Sequence, residues 1–305
     1  MIRKTEYNAI DFTKYRKRIS TAFQNGDYAE KDFLDITSNK RWFALVYGDY
    51  EAVMPVAYTV HLGFRFVMMP KFCHYLGIFS DHDDIQLNRA FYQYLVGHFV
   101  VMHYAFNPHN TLNINLPKGC SYIIPSGNYE KVKKNYHSGR RRNIRTTETF
   151  LNTFQILDNR FGEEDKCFLI KYMKGIKNRK QKNQYIALAE QLFRAGILTT
   201  VAISSENGLQ SLGCFYDGSR SSYLGIFVNR PELPDRNIPS VLIDRKIQLC
   251  IEKVNFDFAG SRVKNVADFN SRFGAEAYYY PYILRNKKEV IHILLKNLAK
   301  QVKIV

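Results

Sequence analysis

Cysteine, glycine and proline are sparse in this 305-residue chain, and each scarcity removes a class of protein. The five cysteines stand far apart, in no Cys-x-x-Cys pair, so neither a disulfide framework nor a structural zinc site has its ligands. The eight histidines contain no His-Glu-x-x-His pair, and His98 and His103 do not share a helix face, so no metal centre is expected. Seventeen glycines and nine prolines form no rich tract, which excludes collagen-like and low-complexity chains. The longest apolar stretch, Tyr94 to Phe106, is broken by Gly97, His98 and His103 and falls short of the ~18 residues of a membrane span. No Gly-x-Ser-x-Gly elbow, Walker loop or Gly-x-Gly-x-x-Gly occurs, so serine hydrolase, P-loop and Rossmann chemistries lack their signatures. The start, Met1-Ile2-Arg3-Lys4-Thr5-Glu6, is polar rather than an apolar signal core, and a cytoplasmic protein is expected.

Acidic residues are also in deficit, 28 against 44 basic, giving a net charge of +16 with no detachable basic tail. The excess gathers in two runs. One is Lys131, Lys133, Lys134, Arg140, Arg141, Arg142 and Arg145; the other is Lys171, Lys174, Lys177, Arg179, Lys180 and Lys182. Such runs attract phosphates, nucleic acid or acidic headgroups, with a solvated helix face as the plain alternative. The length and the 46% apolar content suit about two packed domains.

An internal echo organises the chain. Tyr75-Leu76-Gly77-Ile78-Phe79 recurs letter for letter as Tyr223-Leu224-Gly225-Ile226-Phe227. Strand-like runs precede each copy: Trp42 to Tyr47, Ala52 to Val60 and Arg65 to Met69 in the first half. The second half has Leu198 to Ser204, Gln210 to Tyr216 and Ser221 to Phe227, with Gly-containing turns between them. A helical pattern follows each copy, Asp83 to Tyr104 and Pro239 to Lys253, and then a short strand, Leu112 to Leu116 and Asn255 to Ala259. A strand that leads through a helix to a returning strand pairs with it in parallel, so each half is expected to be a mixed α+β sheet. The boundary is expected near residue 150, before a strand Leu151 to Leu157, giving domains 1–150 and 151–305. A last helix, Lys287 to Val302, carries an apolar face with no assigned partner.

This order resembles the GNAT acyltransferase fold, and two such units in one chain resemble the Fem peptidyltransferases and Fem-like acetyltransferase-type proteins. The segments that carry the resemblance are Trp42 to Pro55, Pro70 to Phe79, Ser138-Gly139-Arg140-Arg141-Arg142-Asn143-Ile144-Arg145, Asp257-Phe258-Ala259-Gly260-Ser261 and Phe269 to Ala275. The resemblance implies tandem GNAT-like domains, each a mainly antiparallel mixed sheet flanked by helices. It also implies transfer of an acyl or aminoacyl group to an amine, from acetyl-CoA or another acyl-CoA, or from an aminoacyl-tRNA. Such a cosubstrate would not be tightly bound, and the acceptor would be a small-molecule or peptidoglycan-precursor-like amine. GNAT enzymes hold a pyrophosphate on a (Gln/Arg)-x-x-Gly-x-(Gly/Ala) loop at a helix N-terminus. Here that segment is Arg236-Asn237-Ile238-Pro239-Ser240-Val241, with proline and valine in place of the small residues. Arg230, Arg236, Asn237, Ile238 and Ser240 are the donor-binding candidates. The first-half equivalent, Ser80-Asp81-His82-Asp83-Asp84, is acidic and suits helix capping instead.

For the chemistry, Asp257 at the end of an inner strand could deprotonate or orient an acceptor amine, and Ser261 could hydrogen-bond donor or acceptor. The alternatives are a structural hydrogen bond for Asp257 and helix capping for Ser261. Tyr223, Tyr278, Tyr279 and Tyr280 are candidates to protonate the leaving group, with Tyr223 preferred. Arg141 and Arg145, a helical turn apart with Arg142 beside them, could grip phosphate of a nucleotide-linked acceptor or of a tRNA-borne donor, or pair with an acidic residue of the other half. The competing expectation is a non-catalytic anion-binding or scaffold protein on a degenerate GNAT fold.

Overall fold

The computed structural model describes residues 1–148, 153–176, 178–233, 235–260 and 263–302, the side chains of 146–148 and 295–302 excepted. The chain divides into two compact units, Met1–Gly119 with Tyr279–Val305, and Cys120–Tyr278. The handover expected near residue 150 lies outside the described residues.

The first unit contains β1 (Ile2–Glu6), α1 (Phe12–Thr21), α2 (Lys31–Ser38), β2 (Trp42–Tyr47), β3 (Ala52–His61), β4 (Phe64–Val67), α3 (Ile85–His98), β5 (Val100–Val101) and β6 (His103–Ala105). Strands β1 to β5 lie in that order in one sheet, antiparallel except that β5 runs parallel to β4. Four of the five residues after Trp42 are fully apolar, and Trp42 to Val46 are sealed from solvent against α1 and α2. Asp84 caps α3 by accepting from the backbone N–H of Gln86 and Leu87, the role its acidic surroundings suggested. The helix is shorter than expected. It stops at His98, because Phe99 turns extended and the β-branched pair Val100-Val101 takes up the ladder beside Phe66-Val67. The returning strand is therefore β5 and not Leu112 to Leu116, which forms no strand.

The chain continues through β7 (Lys118–Ile124), α4 (Tyr129–Lys134), α5 (Ser138–Glu148), β8 (Phe154–Asp158), α6 (Glu163–Tyr172), α7 (Arg179–Arg194), β9 (Leu198–Ser205), β10 (Gly208–Asp217), β11 (Ser221–Asn229), α8 (Ile238–Cys250), β12 (Asn255–Asp257) and α9 (Lys264–Ser271). It ends with β13 (Glu276–Leu284) and α10 (Lys287–Val302). In the second unit the strand order is β7, β12, β11, β10, β9, β8. All neighbours are antiparallel except β11 and β12. Three antiparallel strands, a helix and a parallel return thus occur in both units, as β2-β3-β4-α3-β5 and β9-β10-β11-α8-β12. The letter echo does not follow this correspondence: Tyr223 to Phe227 lies within β11, whereas Tyr75 to Ile78 lies beyond β4 in irregular backbone.

The core of the second unit joins the sheet (Ile124, Val201, Ile203, Phe215, Phe256) to α8 (Val241, Leu242, Ile247) and to Tyr136 and Ile144 at α5. Gly274 follows α9 at φ +70, and a Cβ there would stand 2.7 Å from the Asn135 carbonyl, so only glycine fits. Helix α10 returns to the first unit, where Val290 packs on Phe66 and Val100. Among the described residues no helix is long and apolar enough to cross a membrane.

Candidate functional site

Parallel strands β11 and β12 run side by side only at Ser221–Tyr223 and Asn255–Asp257. Beyond that point β11 continues to Asn229 while β12 stops, and the chain bends away through two left-handed residues, Ala259 (φ 51) and Gly260 (φ 107). The gap is a cleft of about 690 Å³ at the carboxyl ends of the parallel pair. Leu224, Gly225 and Phe227 line one side, Phe258 to Gly260 the other, and Asn237, Pro239 and Ser240 at the N-terminus of α8 close it. Gly225 is the extra residue of a bulge: Cys214 pairs with Ile226 and Phe215 with Leu224. A bulge leaves its additional residue out of the regular ladder and re-aims the strand, here beside the cleft.

Arg140 also lines this cleft, and it is 7% exposed. Its guanidinium lies 4.3 Å from the Phe269 ring centre and 4.4 Å from that of Phe273. It donates to the Ser240 hydroxyl and, at 3.1 Å, to the Phe269 carbonyl. Among the described residues no carboxylate pairs with it, and its buried Nε has no hydrogen-bond partner. Burial, reinforced by nearby Arg272, brings its pKa down to about 10. A buried cation without an anion is costly. Arg236 and Arg272, both exposed, add two more cations to the lining. The N-terminus of α8 contributes its positive dipole end, although its first N–H groups are engaged, Ile238 donating to the Asp235 carbonyl and Ser240 to the Asn237 carbonyl, and Pro239 has none. The lining is thus strongly cationic and suited in charge to an anion.

Asp257 is fully buried. Its Oδ1 accepts from the Ser121 hydroxyl at 2.8 Å and from the Ala259 N–H at 2.7 Å, and its Oδ2 accepts from the Tyr278 hydroxyl at 2.5 Å. The Gly260 N–H in turn donates to Ser121 Oγ at 3.0 Å. Desolvation pushes the carboxyl up to about 6 against the pull of these three donors. The cluster clamps the bend at Ala259 and Gly260 that forms one wall of the cleft.

The other expected residues separate. Arg236, Asn237 and Ser240 meet at the cleft. Ile238 is wholly buried in the core, and Arg230 turns away to donate to the Asn207 carbonyl at 3.0 Å. Tyr223 is 1% exposed, paired in register with Asp257, and its ring stacks on Tyr216 at 5.5 Å; it is not part of the cleft lining. Ser261 lies outside the described residues. Arg141, Arg142 and Arg145 line a second concavity of about 450 Å³ with Glu130, Lys133, Lys134 and Ser138. There Arg141 donates to the carbonyls of Lys134 and Tyr136, and Lys133 lies 3.4 Å from Asp244 of α8. Sequence reasoning missed Arg140 as a site residue. Its spacing from Tyr136 and Ile144, four residues to either side, marks it as lying on the buried stripe of α5 and is the signal that separates it from its neighbours.

The fold is that of a Fem-type protein with two GNAT-like domains. FemX superposes with a TM-score of 0.67 at 10% identity, covering 95% of this chain and 99% of its own. L-PGS from Bacillus licheniformis gives 0.54 at 12% identity, covering 94% and 96%. A tandem GNAT protein from the clavulanic acid biosynthesis pathway gives 0.51 at 10%, covering 93% and 98%. No family model and no curated protein matches the sequence.

Proposed function

We propose that the chain is a transferase that moves an acyl or aminoacyl group from a phosphate-bearing donor to an amine, in the cleft of the second unit. The observation that carries this reading is Arg140, a buried cation without a carboxylate partner, set beside the N-terminus of α8 in a cleft where two parallel strands part. A donor phosphate there would meet the positive end of the α8 dipole and the guanidinium groups of Arg140 and Arg236. The bulged backbone at Gly225 would lie beside the carbonyl under attack, where a backbone N–H stabilises the developing oxyanion. Acyl-CoA and aminoacyl-tRNA both satisfy this chemistry. The second concavity, rich in arginine, favours the tRNA-borne donor, whose phosphates extend beyond one cleft.

A second reading, a non-catalytic anion-binding protein, is favoured by two observations: both oxygens of Asp257 are engaged, and Tyr223 is sealed in the core. The experiment that separates the readings combines calorimetry with transfer assays. Coenzyme A and a charged tRNA are titrated into wild type and Arg236→Ala, and transfer from each donor to a primary amine is followed. Binding and transfer, both weakened by the substitution, support the transferase. Binding of either donor without transfer favours the second reading, and no binding of either donor at low salt refutes both.

A further inference from the structure

The β3–β4 hairpin projects beyond its sheet. Strand β2 begins at Trp42, opposite Ala57, so Tyr58 to His61 of β3 have β4 alone as a strand partner. On the other side β5 pairs only with Phe66 and Val67, leaving Phe64 and Arg65 outside. Four residues of strand reach roughly 13 Å. At the tip the two turn residues are both left-handed, Leu62 (φ 49) and Gly63 (φ 80), the geometry in which Asn-Gly is the ordinary choice. Leucine is disfavoured in that backbone region, and here it stands 84% exposed. Val60 and Phe64 beside it are 45% and 47% exposed. Nothing in the packing of the unit calls for these three apolar side chains.

The base of the ribbon is basic. The Arg65 guanidinium lies 4.7 Å from the Tyr58 ring centre and 2.9 Å from Glu6, which also holds Lys4 at 2.6 Å. The Tyr58 N–H donates to the Arg41 carbonyl, which fixes exposed Lys40 and Arg41 at the same end. Two cations thus share the Glu6 carboxylate, and two more, Lys40 and Arg41, stand exposed at the same end of the ribbon. Three side chains on a convex tip are too few for a stable protein interface, which buries roughly 1,600 Å². An apolar tip above a basic collar suits a bilayer surface, where apolar groups sink ~5–10 Å and cations remain at the anionic headgroups.

We propose that this hairpin docks the chain on anionic lipid membranes, with Leu62, Phe64 and Val60 entering the interface and Lys40, Arg41 and Arg65 at headgroup level. The proposal is independent of the transferase reading. It is tested by co-sedimentation of the full chain with phosphatidylcholine vesicles containing about one third phosphatidylglycerol, and with pure phosphatidylcholine. Wild type is expected to bind the anionic vesicles about tenfold or more tightly than the neutral ones. Leu62→Asn suits the turn and preserves folding, yet should weaken binding at least about fivefold. Lys40→Glu with Arg41→Glu should abolish the preference for the anionic lipid. Absence of binding to anionic vesicles at low salt, or Leu62→Asn binding like wild type, overturns the proposal. So does a Leu62-dependent dimer that remains in the supernatant, which would assign the tip to a second copy of the chain.

Discussion

Replacing Asp257 by Asn should change how stability depends on pH more than it changes the fold. The buried carboxyl titrates near 6, raised from an ordinary value of 3.8 by desolvation, so the folded chain holds the proton more tightly than the unfolded one. Below about pH 4 both states are protonated and the site carries no penalty. As pH rises from about 4 to 6 the unfolded carboxyl ionises first, and stability falls. By about pH 7, once the folded carboxyl has ionised too, the loss is complete, on the order of 3 kcal/mol for a shift of this size. Asparagine keeps an acceptor for Ser121 and the Ala259 N–H but does not titrate. In urea titrations followed by circular dichroism, the wild type should therefore lose stability relative to Asp257→Asn between pH 4.5 and 7. The lone tryptophan, Trp42, reports the other unit and provides an internal control. Amide exchange at Ala259 and Gly260 should quicken over the same range in wild type alone. Parallel stability curves for the two proteins would refute the assignment of Asp257 as a buried, titrating clamp.

Arg236→Ala and Arg272→Ala, both exposed, should each weaken binding of a phosphate-bearing donor by about tenfold while moving stability by less than about 0.5 kcal/mol, measured by calorimetry and thermal melting. Arg140→Met should abolish that binding while leaving the unliganded chain about as stable, because the lost hydrogen bonds are offset by removal of a buried, unpaired cation; a large drop in melting temperature would contradict this. If the second concavity carries RNA phosphates, Arg141→Ala and Arg145→Ala should each flatten the log–log salt dependence of tRNA binding by about one. Ser121→Ala leaves the Gly260 N–H without its partner and should cost about 1–2 kcal/mol, read by urea unfolding.

The second unit was largely legible because its signals are local. Gly-containing turns and apolar runs delimit β9 to β11, and Pro239 marks the first turn of α8, which leads to Arg236, Asn237 and Ser240. Features that depend on distant residues were not legible. Asp257 is sealed by Ser121, 136 positions away, so no window of sequence distinguishes a clamp from an exposed base. The five letters shared by Tyr75 to Phe79 and Tyr223 to Phe227 adopt different structures because their neighbours differ: Asn110 and Tyr104 hold the backbone of the first, a strand ladder the second. Val100 and Val101 continue the apolar pattern of α3, and only their pairing with β4 ends the helix.

Helix α5 carries three arginines in succession, of which one enters the cleft and the others line the outer concavity. Each residue turns a helix by 100°, and a slip that brings Arg141 to the place of Arg140 would still offer an arginine to the buried place. What forbids the slip is Ile144, four residues on and fully buried, which would be replaced there by Arg145. The identity of the arginine that faces the ligand is thus set by an aliphatic side chain that touches no ligand. Substitutions at Ile144 should be read as changes of register before they are read as losses of packing.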